Sequence, residues 1–228
     1  MHSAKTAVGG EDVRWVVTLA IDTLRDADPQ AWEAKAGTLE WTCWETLEHL
    51  ADDLFTYAAR FGLTKPPIST VLPFRTSSDR SGGPANVIFI DRASGPEGLL
   101  TILEACGGLL ASVLSTAPST AVAYHVFGPS DPEGFAAMGV VETLVHTHDI
   151  AQGLNLEWSP PRELCERVLK KLFPHVVIDC DVWEILLWAT GRTALPDRPR
   201  LTEWRWYGTQ ACERLPHSST STASALTG

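Results

Sequence analysis

The chain has 228 residues, of which 44% are hydrophobic and 20% charged, and this composition excludes an intrinsically disordered protein. The formal net charge of −10 disfavours a nucleic-acid partner, because an acidic chain repels phosphate backbones. The five cysteines are odd in number, widely spaced and without a CxxC pair, which excludes a disulfide framework and a cysteine zinc knuckle.

The N-terminal segment Met1–Lys5 is not followed by the apolar stretch of a secretory signal. No apolar run approaches the roughly 18 residues that a membrane span requires. We therefore expect a cytoplasmic protein with no membrane partner.

Hydrophobic periodicity predicts six helices along the chain. Thr42 is a predicted N-cap of the second helix, since Glu45 follows it at capping-box spacing. Gly107 and Gly108 interrupt the third helix, which indicates close contact with a neighbouring helix. The predicted ranges are 11–27, 43–61, 96–116, 132–153, about 161–173 and 181–190.

A connection rich in proline, glycine and serine separates the second and third helices over residues 63–95. One short apolar run within it, Val87–Ile90, is a candidate strand. Such a long connection inside a compact domain is often functional, and we expect it to line a pocket. The prediction is an all-α four-helix bundle with a long crossover between helices 2 and 3. A single domain is expected over 1–212, with the bundle at about 11–153, appended helices at about 160–191 and a disordered tail at 213–228.

The fourth helix carries the chemically informative residues. Glu142 and His146 are four positions apart and so lie roughly 40° apart around the helix axis, on one face. Asp149 falls on the same stripe, whereas His148 points to a different face, where it can line a pocket or contact a neighbouring helix. A carboxylate and an imidazole one turn apart can share a metal ion. Spacing alone favours the alternative, an ordinary hydrogen-bonded or solvated pair.

The second helix offers a third ligand. Taken alone, His49 is interpreted as a core or boundary histidine, but a three-ligand metal site would need a residue from another helix and His49 is well placed. Asp53, one turn later, is a candidate for orienting that imidazole. The acidic group formed by Glu45, Glu48, Asp52 and Asp53 is interpreted as a solvated helix face in preference to a pair of catalytic carboxylates.

Four segments carry a resemblance to a known family. They are WTCWETLEHL at 41–50, GFAAMG at 134–139, VETLVHTHDIA at 141–151 and LLWATGR at 186–192. In their order and separation the chain resembles the DinB-like metal-binding four-helix bundles, and within them the branch similar to mycothiol-dependent maleylpyruvate isomerases. The resemblance covers most of residues 10–210.

The resemblance implies a zinc-type ion held by His49, Glu142 and His146. Their positions on the two helices make Asp149, Asp53 and His148 the candidate supporting or pocket residues. It also implies a low-molecular-weight thiol such as mycothiol, which the metal delivers as a thiolate to an electrophilic small molecule. The expected function is thus a thiol transferase or isomerase. A non-catalytic metal or small-molecule binding protein and a metal-dependent hydrolase are the alternatives. The oligomeric state is left open, with a dimer as one option.

Overall fold

The computed structural model describes residues 7–208, which contain six α-helices, isolated β-bridges and no strand. Two short 3-10 turns, Pro29–Glu33 and Arg92–Ser94, precede the second and third helices. The predicted all-α class is confirmed, whereas the predicted tail at 213–228 lies outside the described residues. The helices are α1 (Gly10–Leu24), α2 (Cys43–Phe61), α3 (Gly95–Thr116), α4 (Pro132–Gly153), α5 (Arg162–Leu172) and α6 (Val182–Ala189).

All six helices lie within three residues of their predicted ends. The predicted capping box at the start of α2 is confirmed. The Glu45 amide donates to Thr42 Oγ1 at 3.1 Å, and the Thr42 amide donates to Glu45 Oε2 at 2.9 Å. These two bonds satisfy amides that the first helical turn leaves unpaired, and they fix where α2 begins.

The four long helices pack against one another around a leucine- and valine-rich core. α1 and α2 each contact both α3 and α4, while α5 lies on α4 and α6 on α5. A Cβ atom at Gly107 of α3 would lie 2.8 Å from Cγ2 of Val17, so α1 and α3 approach too closely there for any larger residue. The predicted close helix contact is therefore confirmed at Gly107.

The interpretation of the acidic group on α2 as a solvated face is wrong. Glu45, Glu48 and Asp52 are all buried, with at most 7% of each residue exposed. Buried carboxylates need hydrogen-bond donors, and these carboxylates find them in the segment between α2 and α3, residues 62–94, which we call the 62–94 connection. Glu45, for example, pairs with both Nε and Nη2 of Arg80, at 2.7 and 2.8 Å.

The same carboxylates explain why the predicted strand at Val87–Ile90 does not form. The amides of Val87 and Ile88 both donate to Asp52 Oδ1 at 2.8 Å, and the Ile90 amide donates to Glu48 Oε1 at 2.7 Å. These amides are therefore used by side chains of α2 and are not free to pair with a second strand. The 62–94 connection is thus held along the outer side of α2.

The third helix differs from our expectation that no apolar run approaches the length of a membrane span. The stretch Arg92–Thr116, which includes α3, is long and apolar enough to cross a membrane by length and composition alone. The core helix of a soluble protein satisfies the same criterion. Leu99, Leu103 and Leu110 on this helix are fully buried against the rest of the bundle, as a core helix requires.

Candidate metal centre

The two predicted histidine ligands meet between α2 and α4. The ring centroids of His49 and His146 are 5.8 Å apart, and the rings meet edge to face. One ligand atom from each of His49, Asp53 and His146 lies within 4.8 Å of the other two. Asp53, which we expected to orient His49, therefore lies where it could itself bind a metal ion.

The distances within each helix suit a shared ion. His49 Nε2 lies 3.5 Å from Asp53 Oδ2, and His146 Nε2 lies 3.4 Å from Glu142 Oε2. Two ligands of one tetrahedral zinc ion, at bond lengths near 2.0–2.1 Å, are about 3.4 Å apart. Each helix thus contributes one imidazole and one carboxylate at ligand spacing. The group that could hold a single metal ion is His49, Asp53 and His146, and the predicted ligand Glu142 is not part of it.

Glu142 is positioned by a neighbour that the sequence did not identify. Its Oε1 atom accepts a hydrogen bond from the Tyr57 hydroxyl at 3.3 Å, so Oε2 is the oxygen left facing His146. Tyr57 lies on the apolar stripe of α2 and is buried, which is why its sequence pattern indicated only a core residue.

Asp149 lies behind His146, as its place on the helix stripe predicted. Its Oδ2 atom is 3.4 Å from His146 Nδ1 and accepts a hydrogen bond from Arg192 Nη2 at 2.9 Å. The carboxylate is only 1% exposed. In this one geometry Asp149 can both support His146 and form a salt bridge with Arg192.

The remaining supporting residue, His148, is not part of this centre. Its ring packs edge to face against Trp183 of α6, with centroids 5.5 Å apart. It is not among the residues that line the cavity at the metal centre. Of the two alternatives for His148, contact with a neighbouring helix is the one that the structure contains.

The electrostatics of the centre favour a positive charge on the His146 imidazole. Burial opposes protonation of this imidazole, but the carboxylates of Asp149 and Glu142 outweigh burial and raise its pKa to about 9. Burial also acts against ionisation of Glu142, yet His146 and His49 hold the pKa of this carboxyl below its usual value. A proton or a metal ion would be stabilised at this point by the same carboxylates.

A cavity of about 400 Å³ opens from the centre to solvent. Besides the centre itself, its walls come from three segments, at 38–41, 125–127 and 190–206. The 62–94 connection contributes no wall, so our expectation that it lines the pocket is wrong. The connection instead lies behind His49, where Asn86 Oδ1 is 3.0 Å from His49 Nδ1.

Two features of the cavity walls were missed by sequence analysis. Arg192 and Arg200, from the segment after α6, add positive charge opposite the carboxylates. His125 lies in the wall and accepts a hydrogen bond from the Phe127 amide at Nδ1, at 3.1 Å. Burial, assisted by the charge of Arg60, lowers the His125 pKa to about 4. This imidazole is therefore neutral at physiological pH, and its sequence pattern indicated only a structural residue.

No cysteine lines the cavity in the part of the chain that the structure describes. Cys43, Cys106 and Cys165 are buried in the core, and burial raises their pKa values to about 11, 11 and 12. These thiols are protonated at neutral pH and are therefore poor nucleophiles.

Comparison with protein-family models, with curated proteins and with solved structures gives no match for this chain. The resemblance to the DinB-like proteins therefore stays a hypothesis carried by the residue motifs. The geometry of the centre and its cavity is the independent argument.

Replacement of Asp149 by asparagine is expected to weaken zinc affinity by about 10–100-fold. The substitution keeps the side-chain shape but removes the negative charge that stabilises the Nδ1 proton of His146 while Nε2 binds metal. Competition with a chromophoric chelator measures the effect. Arg192→Gln is the control, because it breaks the salt bridge to Asp149 but leaves the contact with His146. Equal zinc affinity in Asp149→Asn and the wild type would show that Asp149 does not support the metal ligand His146 and serves in the salt bridge with Arg192.

Proposed function

We propose that this chain is a DinB-like, metal-dependent enzyme that joins a low-molecular-weight thiol, such as mycothiol, to an electrophilic small molecule. One observation carries the proposal: the imidazoles of His49 and His146 and the carboxylate of Asp53 lie close enough together to hold one metal ion, beside Glu142, in the wall of a cavity that is open to solvent. A closed structural zinc site would have no such approach for a second molecule.

The packing of the helices supports the same family assignment. α1–α4 contact one another as a bundle, and the 62–94 connection joins α2 to α3 outside it. Bundles of this kind hold metals between facing helices. The fold by itself says nothing about the reaction, so the functional argument depends on the centre and its cavity.

The thiol cosubstrate is taken from the resemblance to the DinB-like proteins, and the cysteine content of the cavity is consistent with it. The cavity walls contain no cysteine among the described residues, and the buried cysteines have raised pKa values. A zinc-type ion in this position would lower the pKa of a bound thiol and so favour the thiolate at neutral pH.

The chain's own residues would bind and shield the reactants. Trp41, Trp204 and Trp206 line the cavity and provide apolar surface against which a reactant can pack. Arg192 and Arg200 lie in the same wall, where their charge favours a reactant or leaving group that carries negative charge. The neutral ring of His125 offers a hydrogen-bonding group that carries no positive charge to repel a metal ion.

The proposed activity is tested with purified protein, zinc and mycothiol, using monochlorobimane as a generic electrophile. We expect fluorescent conjugate to form faster than in the uncatalysed reaction, only with both zinc and thiol, and not with a His146→Ala variant. Hydrolysis of an activated ester without thiol would instead favour the metal-dependent hydrolase. Tight zinc binding without turnover of either probe or of further electrophiles would favour a non-catalytic binding protein.

A further inference from the structure

The 62–94 connection delivers one fully buried polar side chain to the candidate metal centre. Asn86 has no exposed surface, and its Oδ1 atom lies 3.0 Å from Nδ1 of His49. Nε2 of the same ring lies 3.5 Å from Asp53 Oδ2, and both residues line the cavity. The imidazole is thus held between an amide from the connection on one side and the candidate metal ligands on the other.

The backbone at Asn86 is fixed on both sides of this side chain. Asn86 and Ser77 exchange two backbone hydrogen bonds, at 2.9 and 3.0 Å, in an isolated antiparallel bridge. The two amides that follow, those of Val87 and Ile88, are bound by Asp52 one turn from His49 on α2. These bonds determine the position of the Asn86 amide relative to the imidazole.

The side-chain amide of Asn86 uses its oxygen but not its nitrogen in hydrogen bonds within the described residues. Its Nδ2 group is buried and has no hydrogen-bond partner within the described residues. Burying an amide with unpaired donors costs stability. The one side-chain hydrogen bond that Asn86 makes within the described residues is the bond to His49.

We infer that Asn86 is a positioning residue that holds His49 in the tautomer with the proton on Nδ1, so that the lone pair of Nε2 points at the metal. An imidazole binds metal through an unprotonated nitrogen, and the hydrogen bond at its other nitrogen selects which one that is. Asp53 competes for the ring, because a carboxylate beside Nε2 favours a proton there. We assign the ring proton to the side of the shorter contact, because Asn86 Oδ1 lies 3.0 Å from Nδ1 and Asp53 Oδ2 lies 3.5 Å from Nε2.

The inference rests on the proposed metal centre, but it can be tested on metal-free protein. Nitrogen-15 and carbon-13 NMR of the histidine rings at about pH 8 distinguishes the two neutral tautomers, and a His49→Gln variant assigns the signals. We expect the Nδ1-protonated form of His49 in the wild type and a shift towards the Nε2-protonated form in Asn86→Leu. A wild-type ring protonated on Nε2, or an unchanged tautomer in Asn86→Leu, overturns the inference.

Zinc affinity provides a second measurement, with a matched variant. Asn86→Leu removes the acceptor at similar volume and is expected to weaken zinc binding by about 10–100-fold. Asn86→Asp keeps an acceptor and is expected to bind zinc at least as tightly as the wild type. Equal affinity in the leucine variant overturns the inference. If Asn86→Leu fails to fold, the wild-type tautomer and the aspartate variant decide. Absence of thiol turnover would overturn the proposed function without changing the tautomer, so the two failures are distinguishable.

Discussion

Replacement of His146 by alanine is expected to reduce zinc affinity by at least about 100-fold, more than the loss of a residue that only supports a ligand. The imidazole lies beside Glu142 and close to His49 and Asp53, so the substitution removes a donor that is near all the other candidate ligands. Its removal also leaves carboxylates in a buried site with less positive charge to compensate them. Chelator competition and metal content of the purified protein both measure the loss.

His148 is the matched control for this variant. It stands two residues away on the same helix, is also partly buried, and packs against Trp183 instead of lining the cavity. We expect His148→Ala to bind zinc with wild-type affinity, although it removes the aromatic contact to α6. If both variants lose zinc, the effect arises from damage to α4; if neither does, the centre does not bind metal through His146.

The helices were predictable because their signals are local. Periodic apolar residues, the Thr42–Glu45 capping box and the glycine pair in α3 all act within a few turns of chain, and the structure reproduces each of them. The placing of Glu142, His146 and Asp149 on one stripe of α4 was predictable for the same reason. The approach of His49 to His146 was not, because it depends on how two helices pack, and only the family resemblance pointed to it.

The errors came from contacts between residues far apart in sequence. Glu48 and Asp52 have the spacing of a solvated face, but amides about 35–42 residues away use them as acceptors. Asn86 stands in a loop with no regular pattern, and nothing in the sequence associates it with His49. The cavity walls at 190–206 reach the centre because α5 packs on α4 and α6 packs on α5. Tertiary packing of this kind leaves no periodic signal.

A buried ion pair joins α5 to α1. Arg167 of α5 donates from Nη1 and Nη2 to both carboxylate oxygens of Asp12 on α1, at 2.9 and 2.8 Å. The two side chains are only 10% and 6% exposed. Asp12 also closes the first turn of α1 by accepting from the Gly9 amide at 2.9 Å. The pair therefore connects the C-terminal helices to the start of the bundle.

Replacement of Arg167 by methionine is expected to lower the free energy of unfolding by about 3–5 kcal/mol, because it removes the guanidinium from a carboxylate that stays buried. Chemical denaturation measures this loss. Arg162→Met is the control: Arg162 pairs with Asp181 on the surface, where the side chains are 66% and 53% exposed, and an exposed pair contributes at most about 1 kcal/mol.

A double variant separates the charge from the packing. Asp12→Leu combined with Arg167→Met replaces the ion pair by apolar groups, which is often neutral or stabilising at buried sites, at the expense of the bond to the Gly9 amide, about 1 kcal/mol. We expect the double variant to be more stable than Arg167→Met alone. If it is less stable, the pair stabilises the fold beyond what compensation of a buried charge requires. If Arg167→Met alone costs no more than Arg162→Met, α5 is held on the bundle by apolar contacts, and the ion pair contributes little to its stability.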